Sequence, residues 1–196
     1  MQTSLFSFDS ASKDIDEQIR KCQKCELWKT RKNAVPGEGG FRKKVMFVGE
    51  APGKWEDIKG RPFVGAAGKY LDELLSSIGL SRDDVFITNI VKCRPPNNRD
   101  PTSEEISACA PYLEWQIETM APRIICPLGR FSAKFILEKF GFTMKSISAA
   151  QGKIHRGTIT IIPMYHPAAA LYHGKWKAEL EKSFTVLKEE LEGIEK

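Results

Sequence analysis

Four short runs rich in Val, Ile and Phe, separated by segments with helical periodicity, constrain this chain more than any other feature. Residues 45–48, 85–91, 123–126 and 158–164 are too short and too apolar to be amphipathic helices. They read as strands buried on both faces. Between the first two runs, Tyr70, Leu71, Leu74, Leu75 and Ile78 recur at helical spacing and stop at Gly79. The next gap opens with Thr102 and Glu105 in a capping-box pattern and continues through Ile106, Cys109, Leu113 and Ile117. A third helix carries Phe131, Phe135, Ile136 and Phe140, and a final one buries Leu180, Phe184, Leu187 and Leu191 behind an outer face of Lys and Glu. Strands alternating with helices pair in parallel through right-handed crossovers. The sequence therefore predicts an α/β fold with three α/β/α layers around a central four-stranded parallel sheet.

Composition fits one compact domain: 41% of 196 residues are hydrophobic and the net charge is +5. Residues 13–196 are expected to form that domain, and the polar residues 1–12, with scattered Phe, a loosely ordered tail. No apolar run approaches the roughly 18–20 residues that cross a bilayer, and Met1-Gln2-Thr3-Ser4 opens without the features of a signal peptide. A soluble cytoplasmic protein is expected.

Open parallel sheets bind ligands beyond the carboxyl ends of their strands. Four segments should therefore meet on one face: Gly49-Glu50-Ala51-Pro52-Gly53, the stretch from Asn89 to Pro96, Pro127-Leu128-Gly129-Arg130, and His166-Pro167. Phosphate-loop readings fail on spacing, because Gly65-Ala66-Ala67-Gly68-Lys69-Tyr70 is too short and lacks Ser or Thr after the Lys. Glu50 instead offers a carboxylate in a loop that a ligand can approach closely. Phe63 places an aromatic ring in a glycine-flanked loop, suited either to the core or to stacking on a flat ligand. Asn89 is a polar amide late in an apolar strand and must find partners, in neighbouring backbone or in a ligand. His166 is stiffened at a strand end by Pro167.

Five cysteines cannot all pair, and in a reducing compartment they argue for metal or redox chemistry. Cys22 and Cys25 form a C-x2-C pair among Arg20, Lys21, Lys24, Lys29, Arg31 and Lys32, with Glu26 the only acid between them. Cys93 and Cys109 lie 16 positions apart, one just past a strand and one about two turns into a helix. Four thiolates suit Zn²⁺ or an iron–sulfur cluster. A redox dithiol would sit at a helix start after a strand, and none precedes Cys22. Cys126 follows Ile124-Ile125 and reads as a core residue.

Together, Gly49-Glu50-Ala51-Pro52-Gly53, Gly60-Arg61-Pro62-Phe63-Val64-Gly65-Ala66-Ala67-Gly68, Thr88-Asn89-Ile90-Val91-Lys92-Cys93-Arg94-Pro95-Pro96 and His166-Pro167-Ala168-Ala169 resemble the family 4 uracil-DNA glycosylases of archaea and thermophilic bacteria. The resemblance runs from about Ile19 to the final helix. It implies base-excision repair of single- and double-stranded DNA, by a nucleoid-associated monomer that hydrolyses the uracil N-glycosidic bond. It implies a [4Fe–4S] cluster on Cys22, Cys25, Cys93 and Cys109. It assigns Glu50, Ala51 and Gly53 to the uracil pocket, Phe63 to stacking on the base, Asn89 to its Watson–Crick edge and His166 to O2, with Glu50, Asn89 and His166 catalytic. Ala51 stands where relatives with Asp orient water, which leaves Glu50 as the nearest candidate for that task. The covalently trapping relatives carry an inserted basic loop with an extra His. Residues 92–105 contain none, so ordinary turnover is expected.

Around that pocket, Lys24 and Lys29 are expected to hold phosphates, and Leu171, with Tyr172 beside it, to fill the space left by the flipped base. Residues 2–8 resemble part of a sliding-clamp docking peptide, with Asp9 in place of its second aromatic. Two other classes fit the same residues: a non-catalytic nucleic-acid-binding module stapled by a metal, and an electron carrier. In the first the sheet edge would be inert, and in the second DNA would be irrelevant.

Overall fold

A computed structural model of the protein describes residues 14–194. The expected tail, and with it the clamp-docking reading of residues 2–8, lies outside the described residues. Residues 14–21 form a helix, α1, that buries Ile15 and Ile19. The chain then runs through β1 (Val45–Gly49), α2 (Lys54–Lys59), α3 (Ala66–Ser77), β2 (Val85–Asn89), α4 (Ser103–Met120), β3 (Ile124–Pro127) and α5 (Arg130–Lys139). It closes with α6 (Ile147–Ala150), β4 (His155–Arg156), β5 (Thr160–Ile161), α7 (Pro167–Ala170) and α8 (Gly174–Ile194).

The sheet has the order β2-β1-β3-β5-β4. β1 pairs in parallel with both β2 and β3, and β3 with β5, as the alternation of elements predicts. The predicted four-stranded sheet needs one correction, a fifth strand: β4 pairs antiparallel with β5 at the edge. Its two residues are polar and give no apolar run to read. The run at 158–164 yields only two strand residues, because Pro163 has no N–H to give the ladder. Ile162 and Met164 still donate to Ile125 and Pro127 at 3.0 and 2.9 Å. β2 ends at Asn89, where the N–H groups of Ile90 and Val91 turn to the carbonyls of Gly49 and Glu50.

β1 is buried on both faces because helices cover both. Met46, Val48 and Ile125 face α1, α4 and α5 through Ile19, Leu113, Ile117, Ile136 and Leu137. Val45, Phe47 and Ile124 face α3 and α8 through Leu71, Leu75, Leu180, Phe184 and Leu187, with Phe47 stacked on Phe184 at 5.7 Å. The third helix departs in detail from its pattern: α5 buries Ser132, Ala133, Ile136 and Leu137, while Phe131, Phe135 and Phe140 are only partly covered. Cys126 lies fully buried in the second core. Among the described residues no helix is long and apolar enough to cross a membrane.

α3 begins against a turn in which Phe63 has a φ of +50°, an outlier for a bulky residue. The turn is held from outside. Arg82 donates to the carbonyls of Pro62 and Phe63 and pairs with Glu38 and Asp72. Gly68 lets α3 approach so closely that a Cβ there would lie 1.7 Å from the Phe63 carbonyl oxygen. Gly68→Ala is expected to lower the unfolding free energy by at least about 1–3 kcal/mol, the usual range for overpacking. An unchanged denaturant midpoint would contradict this close packing.

Candidate functional site

The carboxyl ends of β1 and β2, the Phe63 turn and the start of α7 enclose a cavity of about 420 Å³. Glu50, Ala51, Gly53, Phe63, Asn89 and His166, which the family resemblance assigns to the pocket, all line it. The parallel register places Gly49 opposite Asn89. A Cβ on Gly49 would lie 2.2 Å from Asn89 Oδ1 and 3.0 Å from the Phe63 ring, so only glycine lets these two groups close over the strand end.

Asn89 is 2% exposed and lines the cavity, and among the described residues its side-chain amide takes part in no hydrogen bond. Of the two partners open to it in the sequence, neighbouring backbone does not engage it. Phe63 is buried, with its ring stacked on the His166 imidazole at 5.5 Å and 26°. His166 caps α7 by accepting the Ala168 N–H at Nδ1, 3.1 Å away. The imidazole hydrogen is thereby assigned to Nε2. Burial pushes the His166 pKa down to about 4, against a weaker opposing effect of Glu56, and the ring is neutral at physiological pH. Burial pushes Glu50 the other way, up to about 7; the charge of Asp100 adds to this and that of Arg130 opposes it. The site thus presents a flat ring, an open amide, a neutral N–H donor and a carboxyl group poised near neutrality.

Several contributors carry no sequence motif. Glu56 accepts the N–H groups of Val64 and Gly65 at 3.0 and 3.3 Å and so holds the turn that carries Phe63. Asn98, Arg99 and Asp100 form the rim of the cavity, and Asp100 pairs with Arg130 at 3.0 Å. Lys92 offered one signal, a charge in an otherwise apolar stretch. It is buried, with Nζ donating to Thr88 Oγ1, the Asn89 carbonyl and Gln116 Oε1 at 2.6, 2.8 and 2.7 Å.

Cys22, Cys25, Cys93 and Cys109 line a second recess, between α1, the end of β2 and α4. Three N–H groups point at its sulfurs: Arg31 Nη1 to Cys93 at 3.0 Å, the Lys92 backbone to Cys109 at 3.2 Å, and the Lys24 backbone to Cys22 at 3.5 Å. Burial raises the Cys25 and Cys93 thiols and pushes Cys109 up to about 11, which does not suit a nucleophilic dithiol. Among the described residues no three Cys, His, Asp or Glu side chains converge closely enough to share one metal ion. Asp57 of α2 accepts the N–H groups of Lys32 and Asn33 at 2.8 and 3.2 Å, which ties the segment after Arg31 to the helix that carries Glu56.

The expected DNA contacts are placed as follows. Lys24 Nζ lies 4.7 Å over the Tyr112 ring, and Lys29 is engaged by Glu26 at 2.6 Å. Leu171 and Tyr172 follow α7 and are 41% and 83% exposed.

The family model of the uracil DNA glycosylase superfamily matches residues 36–191. A type-4 uracil-DNA glycosylase of Saccharolobus solfataricus is 55% identical over 183 residues, 90% of this chain and 85% of that protein. One of Archaeoglobus fulgidus is 51% identical over 176 residues, covering 87% and 88%. A type-5 uracil-DNA glycosylase of Pyrobaculum aerophilum is 31% identical over 165 residues, covering 76% and 72%.

Hydrogen bonds to a charged group contribute about 1.5–3 kcal/mol. Glu56→Ala is therefore expected to speed amide hydrogen exchange at Val64 and Gly65 by at least about tenfold. Unchanged exchange at both would contradict the role given to Glu56.

Proposed function

The chain belongs to the uracil DNA glycosylase superfamily, and from that premise we propose that it flips uracil out of DNA into the cavity and hydrolyses the N-glycosidic bond, leaving an abasic site. The observation that carries this reading is the open amide of Asn89 at the cavity floor. An amide donates to O4 of uracil and accepts from N3–H, whereas cytosine reverses both polarities. A buried amide facing cytosine would be left mismatched, which a polar site penalises heavily.

Each remaining group has a task that its geometry allows. Extrusion of the base costs a few kcal/mol, and less at a G·U mismatch. Stacking on Phe63 offsets part of this cost. Cleavage leaves negative charge on uracil O2 and positive charge on the sugar. The Nε2–H of neutral His166 stabilises the first, and a donor fixed before the reaction favours the transition state over the ground state. Glu50, when ionised, stabilises the sugar cation or aligns water behind it. Ala51 and Gly53 line the wall without competing hydrogen bonds.

Cys22, Cys25, Cys93 and Cys109 are proposed to hold a [4Fe–4S] cluster. A single Zn²⁺ draws all its sulfurs to about 2.3 Å from one point. The three N–H donors aimed at these sulfurs suit thiolates that carry net negative charge, and the likeness to type-4 uracil-DNA glycosylases favours the cluster over zinc. When bound, the cluster would staple residues 22–31 to β2 and α4 and supply no step of the hydrolysis. Lys24 and Lys29 beside it would meet phosphates, Lys29 with its charge partly answered by Glu26. Exposed Leu171 and Tyr172, next to the cavity wall at Ala168, would fill the gap left by the flipped base. The protein would act as a monomer.

His166→Ala and Asn89→Ala are each expected to lower single-turnover uracil excision by about 10²–10³-fold, with DNA affinity retained. Full excision by either variant would overturn the assignment. Because Glu50 is needed as the carboxylate and its pKa is raised to about 7, excision should fall as the pH drops below that value. Glu50→Gln should lose this acidic limb. A pH-independent native rate between about pH 5.5 and 8 would remove Glu50 from the mechanism.

A further inference from the structure

Lys92 is 1% exposed, and its three ammonium hydrogens are all taken by Thr88 Oγ1, the Asn89 carbonyl and Gln116 Oε1. The first and last of these partners are themselves fixed: Thr88 Oγ1 and Gln116 Nε2 both donate to the Pro36 carbonyl, at 2.7 and 3.0 Å. The ammonium therefore sits in a rigid polar cage behind the strand end that carries Asn89. The other end of the same residue faces the cysteine recess, where its backbone N–H donates to Cys109 Sγ and its neighbour in the chain is Cys93. Among the described residues no carboxylate bonds to the ammonium, and Asp16 acts on it through its charge. A buried charge without a direct counter-ion is costly, and apolar residues of similar volume are often as stable in such places. Stability alone therefore does not account for lysine here, whereas its contacts on both sides do.

We propose that Lys92 is a positioning residue that couples the cysteine recess to the base pocket, holding the Asn89 carbonyl with its ammonium while its own peptide holds Cys109. The aim of the Asn89 amide and the arrangement of the Cys93 segment then form one mechanical unit. This rests on the reading of the cavity as a uracil pocket and of the recess as a cluster site. The net negative charge of a thiolate-ligated cluster would also add to that of Asp16 in offsetting the charge of Lys92.

Coupling is reciprocal, so a ligand in the pocket must be felt in the recess. The probe is free uracil, which needs neither DNA nor chemistry. Saturating uracil is expected to change the visible circular dichroism of the cluster in the unaltered holoprotein. Lys92→Met is expected to keep its iron content, to raise the uracil inhibition constant by about tenfold to a hundredfold, as for other groups that orient metal-site ligands, and to lose the dichroism response. A cluster that does not respond to uracil in the unaltered protein overturns the coupling, as does a variant that binds uracil and responds like the original. If the variant fails to load its cluster, the unaltered protein decides alone. Protein that neither binds nor excises uracil overturns the functional reading, and colourless protein overturns the cluster. Active protein with a silent cluster overturns the coupling alone.

Discussion

The parallel register that sets Gly49 opposite Asn89 is the constraint on which the rest of the site depends. With no side chain at Gly49, the Asn89 amide and the Phe63 ring close over the end of β1, at positions a single methyl would occupy. A slip of one residue would turn Asn89 toward the opposite face of the sheet. The two cores exclude such a slip, because each face of β1 is filled by its own set of helices. Hydrophobic packing thus decides where a polar amide points. The strained turn at Phe63 is then held from three sides: by Arg82 on its carbonyls, Glu56 on the amides that follow, and Gly68 pressed against its backbone.

Burial also sets the charge state of the cavity. It drives His166 and Glu50 in opposite pKa directions and both toward neutrality. In the mechanism proposed, a fixed N–H dipole would meet the charge that develops on the leaving base without solvent having to reorganise. A module that only gripped phosphates would have no use for an amide that opens onto this cavity. In the basic segment around Cys22 and Cys25, Lys21 and Lys29 pair with Glu17 and Glu26, and Arg31 turns inward to Cys93.

Much of this was legible in the sequence, for reasons that differ by element. The buried strands announce themselves because both faces are covered, which leaves continuous apolar runs. β4 does not, since a two-residue polar edge strand has no pattern to detect. The capping box at Thr102 and Glu105 is present as its spacing predicts, because it is a purely local interaction. The cavity residues sit at strand ends and in glycine-flanked loops, where topology alone says ligands bind. Glu56, Arg82 and Asp100 act through contacts across the fold, and spacing along the chain carries no trace of these. Lys92 shows the limit most clearly: its charge in an apolar stretch is visible in the sequence, but its cage is assembled from Thr88 and Gln116, on separate elements, and both bond to Pro36.

The central claim is that the cavity recognises an extruded uracil and breaks its bond to the sugar. The most direct test is single-turnover incubation of the anaerobically purified protein with oligonucleotides that carry uracil or cytosine at one position opposite guanine, with free base and alkali-labile sites both counted. The account predicts one uracil released per abasic site from the first and none from the second. Release of neither base, or of cytosine as readily as uracil, would contradict it.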